Sequence, residues 1–311
     1  MPPDPLQPLR AALLASAADL PEQAAALAPD LAASFATLQQ AAGMLAYHDA
    51  RAALIHLLRA AWPSLQADPQ LHPTARGELV ALATDTLIYD FLETTNGRST
   101  PTPDLLADLR TFFEIDANGL ERYLAALNGQ DQPAWRLEDF TFEPGSARQP
   151  LAAQNLATLL IYFLSHLRQA AGVPYTRGAL FRPQLPVYLA MRRTGQLAPR
   201  QPIADLMRGQ RPFPPTTAPP PHPLSPDRDT LTRYLAHLLH TARPQPYRAA
   251  ALFGLLPAWL RFLETGQLLD AARRQQIMAD LQPLAADLQP VWADQPDPAL
   301  AHSLLSWQKG S

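Results

Sequence analysis

The stretch Leu156-Ala-Thr-Leu-Leu-Ile-Tyr-Phe-Leu-Ser-His-Leu167 decides the fold class of this chain. Its large apolar residues recur at i, i+3, i+4, i+7, i+8 and i+11, which places them on one face of an α-helix. Residues 231–239 repeat this spacing. Ala and Leu, both strong helix formers, dominate a hydrophobic fraction of 47%, and residues that favour strands are sparse. The sequence therefore predicts an all-α protein.

An internal repeat organises this helical pattern. Landmarks in residues 163–206 return in the same order in residues 234–281, at an offset of about 71 residues as far as a Thr-Gly-Gln-Leu element. Repeated units of this kind bury their apolar faces by packing on their neighbours. The sequence thus predicts a helical bundle or solenoid-like array of repeated three-helix units. The paired landmarks include Phe163 and Tyr234, His166 and His237, Tyr175 and Tyr247, Phe181 and Phe253, Pro186 and Pro257, and Thr194 and Thr265.

A fainter third copy lies upstream, where Phe91-Leu-Glu-Thr94 matches Phe262-Leu-Glu-Thr265. Pro186 and Pro257 fall inside the middle helix of their units, and we expect them to kink or split it because proline removes a backbone donor. The predicted helices of the three units are 48–62, 73–95 and 103–115; 151–171, 176–195 and 199–208; and 227–242, 247–265 and 269–288.

Proline also marks the boundaries between regions. Thr102-Pro103 and Ser225-Pro226 each predict a helix start, with a capping hydroxyl followed by proline at the first helical position. Residues 212–226 contain eight prolines, so they predict a stiff, extended linker. The predicted regions are an acidic helical region (1–128), an irregular connector (129–150), a repeat unit (151–209), a Pro-rich linker (210–226), and a repeat unit with a C-terminal tail (227–311).

Charge is divided unevenly along the chain. Residues 1–150 hold 9 arginines and 19 acidic residues, whereas residues 151–311 hold 16 basic and 9 acidic residues. Such asymmetry can indicate an anionic partner for the basic half. It is also explained by packing of the acidic half against the basic half, or against another copy, and we favour this second interpretation.

Composition excludes several classes of chemistry. The chain has no cysteine, which rules out disulfides, thiolate catalysis and cysteine-based zinc sites. No apolar run reaches the ~18–20 residues of a membrane span, and the first 20 residues lack the basic start of a secretory signal. We therefore expect a cytoplasmic protein without a membrane partner.

Arginines beside aromatic residues are the strongest polar signal. Tyr175-x-Arg177 and Tyr247-Arg248 recur at the same repeat position, and an arginine next to an aromatic ring is a common anchor for phosphates or bases. A solvated arginine-rich surface, in a chain with a single lysine, is the alternative interpretation. The candidate contacts for an anion or a partner are Tyr175, Arg177, Arg192, Arg193, Tyr247 and Arg248.

Other polar patterns predict structure instead of chemistry. The repeated His56, His166 and His237 fit the edges of apolar stripes better than a metal site. Asp116 or Asn118 suits the cap of a helix better than a calcium loop. Acid pairs on one helix, such as Asp85 with Asp90 or Glu93, fit a solvated face. We predict no catalytic residue, no metal and no cofactor.

Three functions remain open on this basis. The repeat, the linker and the divided charge favour a non-enzymatic scaffold or adaptor that binds a protein partner or associates with itself. The second possibility is that the arginine-rich residues 151–261 bind an anionic ligand or, with weaker support, nucleic acid. The third is an all-α enzyme without a recognisable motif.

Overall fold

The computed structural model describes residues 4–142, 145–171, 173, 175–198, 222–241 and 243–308. Within these ranges the chain forms helices joined by short connections, and it forms no strand. The predicted all-α class is therefore confirmed. The α-helices of the described residues are α1 (Gln7–Leu14), α2 (Leu20–Ala32), α3 (Phe35–Tyr47), α4 (Arg51–Ala67), α5 (Pro73–Thr94), α6 (Pro103–Arg110), α7 (Ala117–Leu127), α8 (Gln149–His166), α9 (Tyr175–Arg193), α10 (Arg228–His240), α11 (Pro246–Thr265), α12 (Ala271–Ala293) and α13 (Leu305–Gln308).

Polar caps begin several helices near the predicted positions. Thr102 caps α6 and Pro103 is the first residue of that helix, which confirms this predicted start. α10 begins two residues later than expected, because Asp227 is its cap in place of Ser225. The Asp227 carboxylate accepts hydrogen bonds from both the amide and the hydroxyl of Thr230. A charged acceptor at a helix N-terminus is also favoured by the helix dipole.

The two helices that carry the repeat landmarks end in similar ways. α9 and α11 both continue through their internal prolines, so neither helix is split. At the end of each helix, the hydroxyl of Thr194 or Thr265 donates to the carbonyl four residues earlier, and Leu197 or Leu268 beyond it is buried. The third helix predicted for the second unit, 199–208, and the linker residues 210–221 lie outside the described residues. The repeated three-helix arrangement and the region boundaries stay predictions.

α11 lies at the centre of the molecule. It packs against α3, α8, α9, α10 and α12, and almost every residue between Ala249 and Leu263 is buried. One hydrophobic cluster extends from Leu6 to Trp307 and includes side chains of all five predicted regions. Burial of large apolar side chains around α11 therefore provides the main driving force for folding.

The C-terminal segment, residues 297–308, closes one face of α11. Pro257 has no N–H to offer the Phe253 carbonyl, and the Trp307 indole N–H donates to that carbonyl instead, at 3.1 Å. The two aromatic rings also stack, with centroids 4.5 Å apart. Gly254 makes room for this contact, since a Cβ there would lie 3.1 Å from the Cβ of Ser303. The proline in the central helix is thus compensated by a side chain from the end of the chain.

Ion pairs join the acidic half of the chain to the basic half. Arg248 contacts Glu78 at 2.9 Å and Arg168 contacts Glu93 at 3.2 Å. The acidic half therefore packs against the basic half, as one interpretation of the divided charge requires.

Candidate functional site

A cleft of about 470 Å³ opens between α5, α7 and α9. One wall is a single stripe of α5, the other is formed by α7 and the loop before it, and Arg182 of α9 lies at the base. Clefts of this size with a few convergent polar groups are the usual form of binding sites. The lining residues are Gly77, Val80, Ala81, Thr84, Asp85 and Ile88 on α5, Phe113, Glu114, Ile115, Asp116, Gly119, Leu120 and Tyr123 on the α7 side, and Arg182.

The α5 wall follows from helical spacing. Its six lining residues recur every three or four positions, so they share one face of the helix. Gly77 and Ala81 are small and exposed, and a Cβ at Gly77 would meet no atom within 4 Å. The Thr84 hydroxyl bonds back to the Val80 carbonyl at 2.8 Å, which removes a donor from the wall. This wall is therefore open, shallow and mostly apolar.

The opposite wall is positioned by the cap of α7. Asp116 accepts the amide N–H groups of Asn118 and Gly119 at 3.3 and 2.8 Å, so the predicted capping role of Asp116 is confirmed. The preceding turn presents Phe113, which is 37% exposed, and Glu114. A large exposed aromatic ring next to two carboxylates gives this edge of the cleft an apolar and acidic character.

A polar triad forms the floor of the cleft. Asp85 is buried, with Oδ2 2.8 Å from Nη2 of Arg182. The Tyr123 hydroxyl donates to Oδ1 of Asp85 at 3.2 Å and accepts a hydrogen bond from Nη1 of Arg182. We expected Asp85 to lie on a solvated face with Asp90 and Glu93, and this expectation was wrong. α9 packs on α5 at this point and carries the arginine that pairs with the carboxylate.

Burial and mutual attraction set the charges of the triad. Burial raises the pKa of Asp85, and the hydrogen bonds and charge of Arg182 and Tyr123 oppose that rise. Burial together with the neighbouring Asp85 charge raises the pKa of Tyr123, so its hydroxyl stays protonated at neutral pH. Burial lowers the pKa of Arg182, but the attraction of Asp85 outweighs it, so the pKa is raised overall and the guanidinium stays charged. The floor can therefore offer hydrogen bonds, while Tyr123 is unsuited to act as a base.

Two of the six predicted contact residues meet at Tyr47. The Arg177 Nε–H donates to the Tyr47 carbonyl at 2.7 Å, and its guanidinium lies 4.4 Å from the Tyr47 ring centroid. The centroid of the Tyr247 ring, which belongs to α11, lies 5.8 Å from the centroid of the Tyr47 ring. Tyr175, the repeat partner of Tyr247, is buried against Tyr89. These aromatic rings hold helices together.

The remaining predicted residues are separate from that group. Arg192 is 7% exposed and donates to carbonyls of residues 222–225. Arg193 lies 3.8 Å from the Phe142 ring centroid, and Arg248 pairs with Glu78. The structure thus does not gather the six residues into one site. Their role as anion or partner contacts stays a prediction, and each of the four arginines already has a partner within the chain.

The repeated histidines do not converge on a common site. His56 and His237 are exposed, and His166 is half-buried with its ring 5.5 Å from that of Phe262. Across the described ranges, no cluster of three or more histidine or acidic side chains has the geometry of a metal site. None of the described helices is long and apolar enough to cross a membrane.

Sequence reasoning missed the cleft because its parts are ordinary when taken separately. The available signals were the small residues at helical spacing on α5 and the Phe112-Phe113 pair before a capped helix. Arg182 is distant from these residues in the sequence, and only the tertiary fold brings it to the base of the cleft. Comparison of the chain with protein-family models, curated proteins and solved structures found no match.

Proposed function

We propose that this protein is a helical scaffold that binds a protein partner in the cleft between α5, α7 and α9. The observation that carries the proposal is an open, largely apolar cleft with Phe113 exposed at its rim. Apolar surface of this kind is energetically unfavourable in water and is relieved when a partner covers it. A largely apolar cleft between helices suits a segment of another protein.

Binding explains the triad better than catalysis does. Asp85, Tyr123 and Arg182 satisfy one another by hydrogen bonds, and the charges of the carboxylate and the guanidinium cancel. A general base needs a proton affinity matched to neutral pH and a free path to its substrate. A neutral, hydrogen-bonded floor instead helps to select the side chain that fills the cleft.

We also propose that α8–α9 and α10–α11 are copies of one repeated helical unit, with α4–α6 as a more divergent copy. The similar ends of α9 and α11, including the buried Leu197 and Leu268, support this. α5 ends in a related way, since Gly97 N–H bonds to the Leu92 carbonyl and Leu268 N–H to the Leu263 carbonyl. Packed repeats of this kind commonly serve as binding surfaces, and we place this scaffold in the cytoplasm.

A matched pair of variants tests the cleft as a partner site. Ala81→Arg fills the cleft from an exposed helical position, and Ala157→Arg makes the same change at an exposed position of α8 that does not line the cleft. Arginine is a good helix former, so both variants should fold. Proteins retained from an extract of the source organism are then quantified by mass spectrometry.

We expect at least one protein that is retained by the wild type and by Ala157→Arg but lost with Ala81→Arg. Identical retention by all three proteins would overturn the proposal. The anion-binding alternative makes a different prediction, namely retention that neither variant changes and that falls steeply with added salt.

A further inference from the structure

The face of α11 that the C-terminal segment covers has an open counterpart on α9. Pro186 of α9 and Pro257 of α11 occupy the same place in the repeat. Four residues before these prolines, Arg182 of α9 corresponds to Phe253 of α11, whereas the upstream landmarks pair Phe181 with Phe253 because the offset changes from 72 to 71 between them. Like Pro257, Pro186 offers no N–H to the carbonyl four residues earlier. In α11, Trp307 makes up this loss with its own indole N–H.

The α9 face remains accessible in the structure. Arg182, Pro183, Pro186 and Val187 share one side of the helix because they are spaced at i, i+1, i+4 and i+5. Pro183 is exposed and Val187 is 48% exposed. Among the described residues, the α-helices most extensively packed on α9 are α3, α5, α8, α10 and α11, and Tyr123 of α7 contacts Arg182. Arg182 is the residue that this face shares with the lining of the cleft.

The rim of the cleft is acidic. Glu114 and Asp116 line it, and the charges of Asp85 and Arg182 at the floor offset each other. Five of the nine acidic residues in 73–127 form ion pairs with arginines outside this range, so the negative charge at the cleft comes from Glu114 and Asp116. These two carboxylates attract cationic groups and repel anionic ones.

We infer that the cleft binds a basic segment of a partner protein that carries one large aromatic anchor, with tryptophan as the best fit. The inference rests on the proposed function. The anchor packs beside Phe113 and over Arg182, which lie at the rim and the base of the cleft. Lysine or arginine side chains beside the anchor face Glu114 and Asp116.

Three synthetic peptides test this chemistry. All are 16-residue helical sequences labelled with a fluorophore, with the same alanine and leucine positions. The first has lysines and one central tryptophan, the second has glutamates in place of the lysines, and the third has alanine in place of the tryptophan. Binding to the full chain is measured by fluorescence anisotropy, with the Ala81→Arg and Ala157→Arg variants as a matched pair of equal charge.

The lysine–tryptophan peptide should bind at least about tenfold more tightly than either of the others. Ala81→Arg should weaken its binding at least about tenfold, and Ala157→Arg should change it less than about twofold. The double variant Glu114→Gln/Asp116→Asn should reduce the salt dependence of binding and leave the tryptophan preference intact. Asparagine is an effective helix cap, so this variant keeps α7 in place.

Equal affinity of the lysine and glutamate peptides, or of the tryptophan and alanine peptides, would overturn the inference. The same holds if Ala81→Arg and Ala157→Arg weaken binding equally, because the attraction would then be non-specific. The proposed function would survive each of these results, provided that Ala81→Arg still loses a protein retained from the extract. If Ala81→Arg changes neither peptide binding nor the proteins retained from the extract, the cleft is not a partner site.

Discussion

α9 and α11 are built from the same sequence pattern, yet one is enclosed and the other is open on one side. In α11, Phe253 and Gly254 are covered by the C-terminal segment, and Trp307 donates to the carbonyl that Pro257 leaves without a partner. In α9, the positions four and three residues before Pro186 hold Arg182 and Pro183, and Arg182 lies at the base of the cleft. The difference teaches that two helices with the same sequence pattern can differ in exposure, depending on what covers them.

The largest effect should come from removing the cover of α11. Trp307→Ala deletes a buried indole and its hydrogen bond to the Phe253 carbonyl, so it should lower the free energy of unfolding by about 3–5 kcal/mol. Val187→Ala on the open face of α9 should cost less than about 0.5 kcal/mol. Urea unfolding followed by circular dichroism measures both. Similar losses for the two variants would contradict the contrast between covered and open helices.

The triad on α9 should show the next largest effect. Arg182→Met leaves the buried Asp85 without its counter-charge and should cost about 2–4 kcal/mol at pH 7. The upper end of that range is reduced because the Arg182 side chain is 25% exposed. Adding Asp85→Leu should recover part of the loss, since no buried charge then remains unpaired.

The stability of the single variant Arg182→Met should depend on pH. Burial raises the folded-state pKa of Asp85 above the unfolded value of 3.8, and loss of Arg182 raises it further. A carboxyl with a raised pKa favours the folded state below pH 3.8, and this contribution is lost as the pH rises through the folded-state pKa. The stability deficit of Arg182→Met relative to wild type should therefore shrink as the pH falls from 7 towards 4. A deficit that is constant over this range would show that Asp85 does not carry the effect.

Two glycines test the contrast at the level of a single methyl group. Gly254→Ala on the covered face of α11 would place a Cβ 3.2 Å from the Ser303 carbonyl oxygen, and it should destabilise the protein by about 1–3 kcal/mol. Gly77→Ala on the open wall of α5 meets no atom within 4 Å and should stabilise it by about 0.5–1 kcal/mol. Thermal unfolding shows whether each variant is more or less stable than the wild type. A destabilising Gly77→Ala would mean that the wall of the cleft is covered.

The smallest effect concerns His222, which joins the ends of the two helices. Its carbonyl accepts a hydrogen bond from Arg192 at the end of α9, and its Nε2 lies 2.9 Å from the Leu268 carbonyl oxygen beyond α11. Burial lowers the pKa of His222 below its ordinary value of 6.5. Because the unfolded chain binds the proton more tightly, stability should fall as the pH drops below 6.5 towards the folded-state pKa.

His222→Gln should flatten this dependence between pH 7 and pH 5, as measured by the urea midpoint at each pH. Burial also lowers the pKa of His166, so adding His166→Gln should flatten the profile further. An unchanged slope in the double variant would mean that other groups control acid sensitivity.

Local sequence signals predicted the helical class and many helix boundaries from α4 onwards. The spacing of apolar residues gave the helical class, Thr102-Pro103 gave the start of α6, and Asp116 gave the cap of α7. These features depend on residues within a few positions of one another, and for that reason a single sequence contains them.

The candidate site could not be predicted in the same way. Asp85 and Arg182 come from opposite halves of the chain, and their pairing appears only when α9 packs on α5. The arginines chosen from the repeat pattern mostly bind carbonyls, carboxylates and rings of their own chain. Residue type and spacing alone do not distinguish an arginine that anchors a ligand from one that joins two helices.

The most direct test of the partner cleft is site-specific photo-crosslinking at position 113. The photoreactive amino acid p-benzoylphenylalanine replaces Phe113 at the rim of the cleft or, as a control, replaces Leu151, which is 58% exposed at the start of α8. Both proteins are irradiated in an extract of the source organism, and crosslinked peptides are identified by mass spectrometry. The account predicts that position 113 joins to one protein, within a basic segment that contains a large aromatic residue, and that position 151 does not. Crosslinks to the same proteins from both positions, or none from position 113, would contradict it.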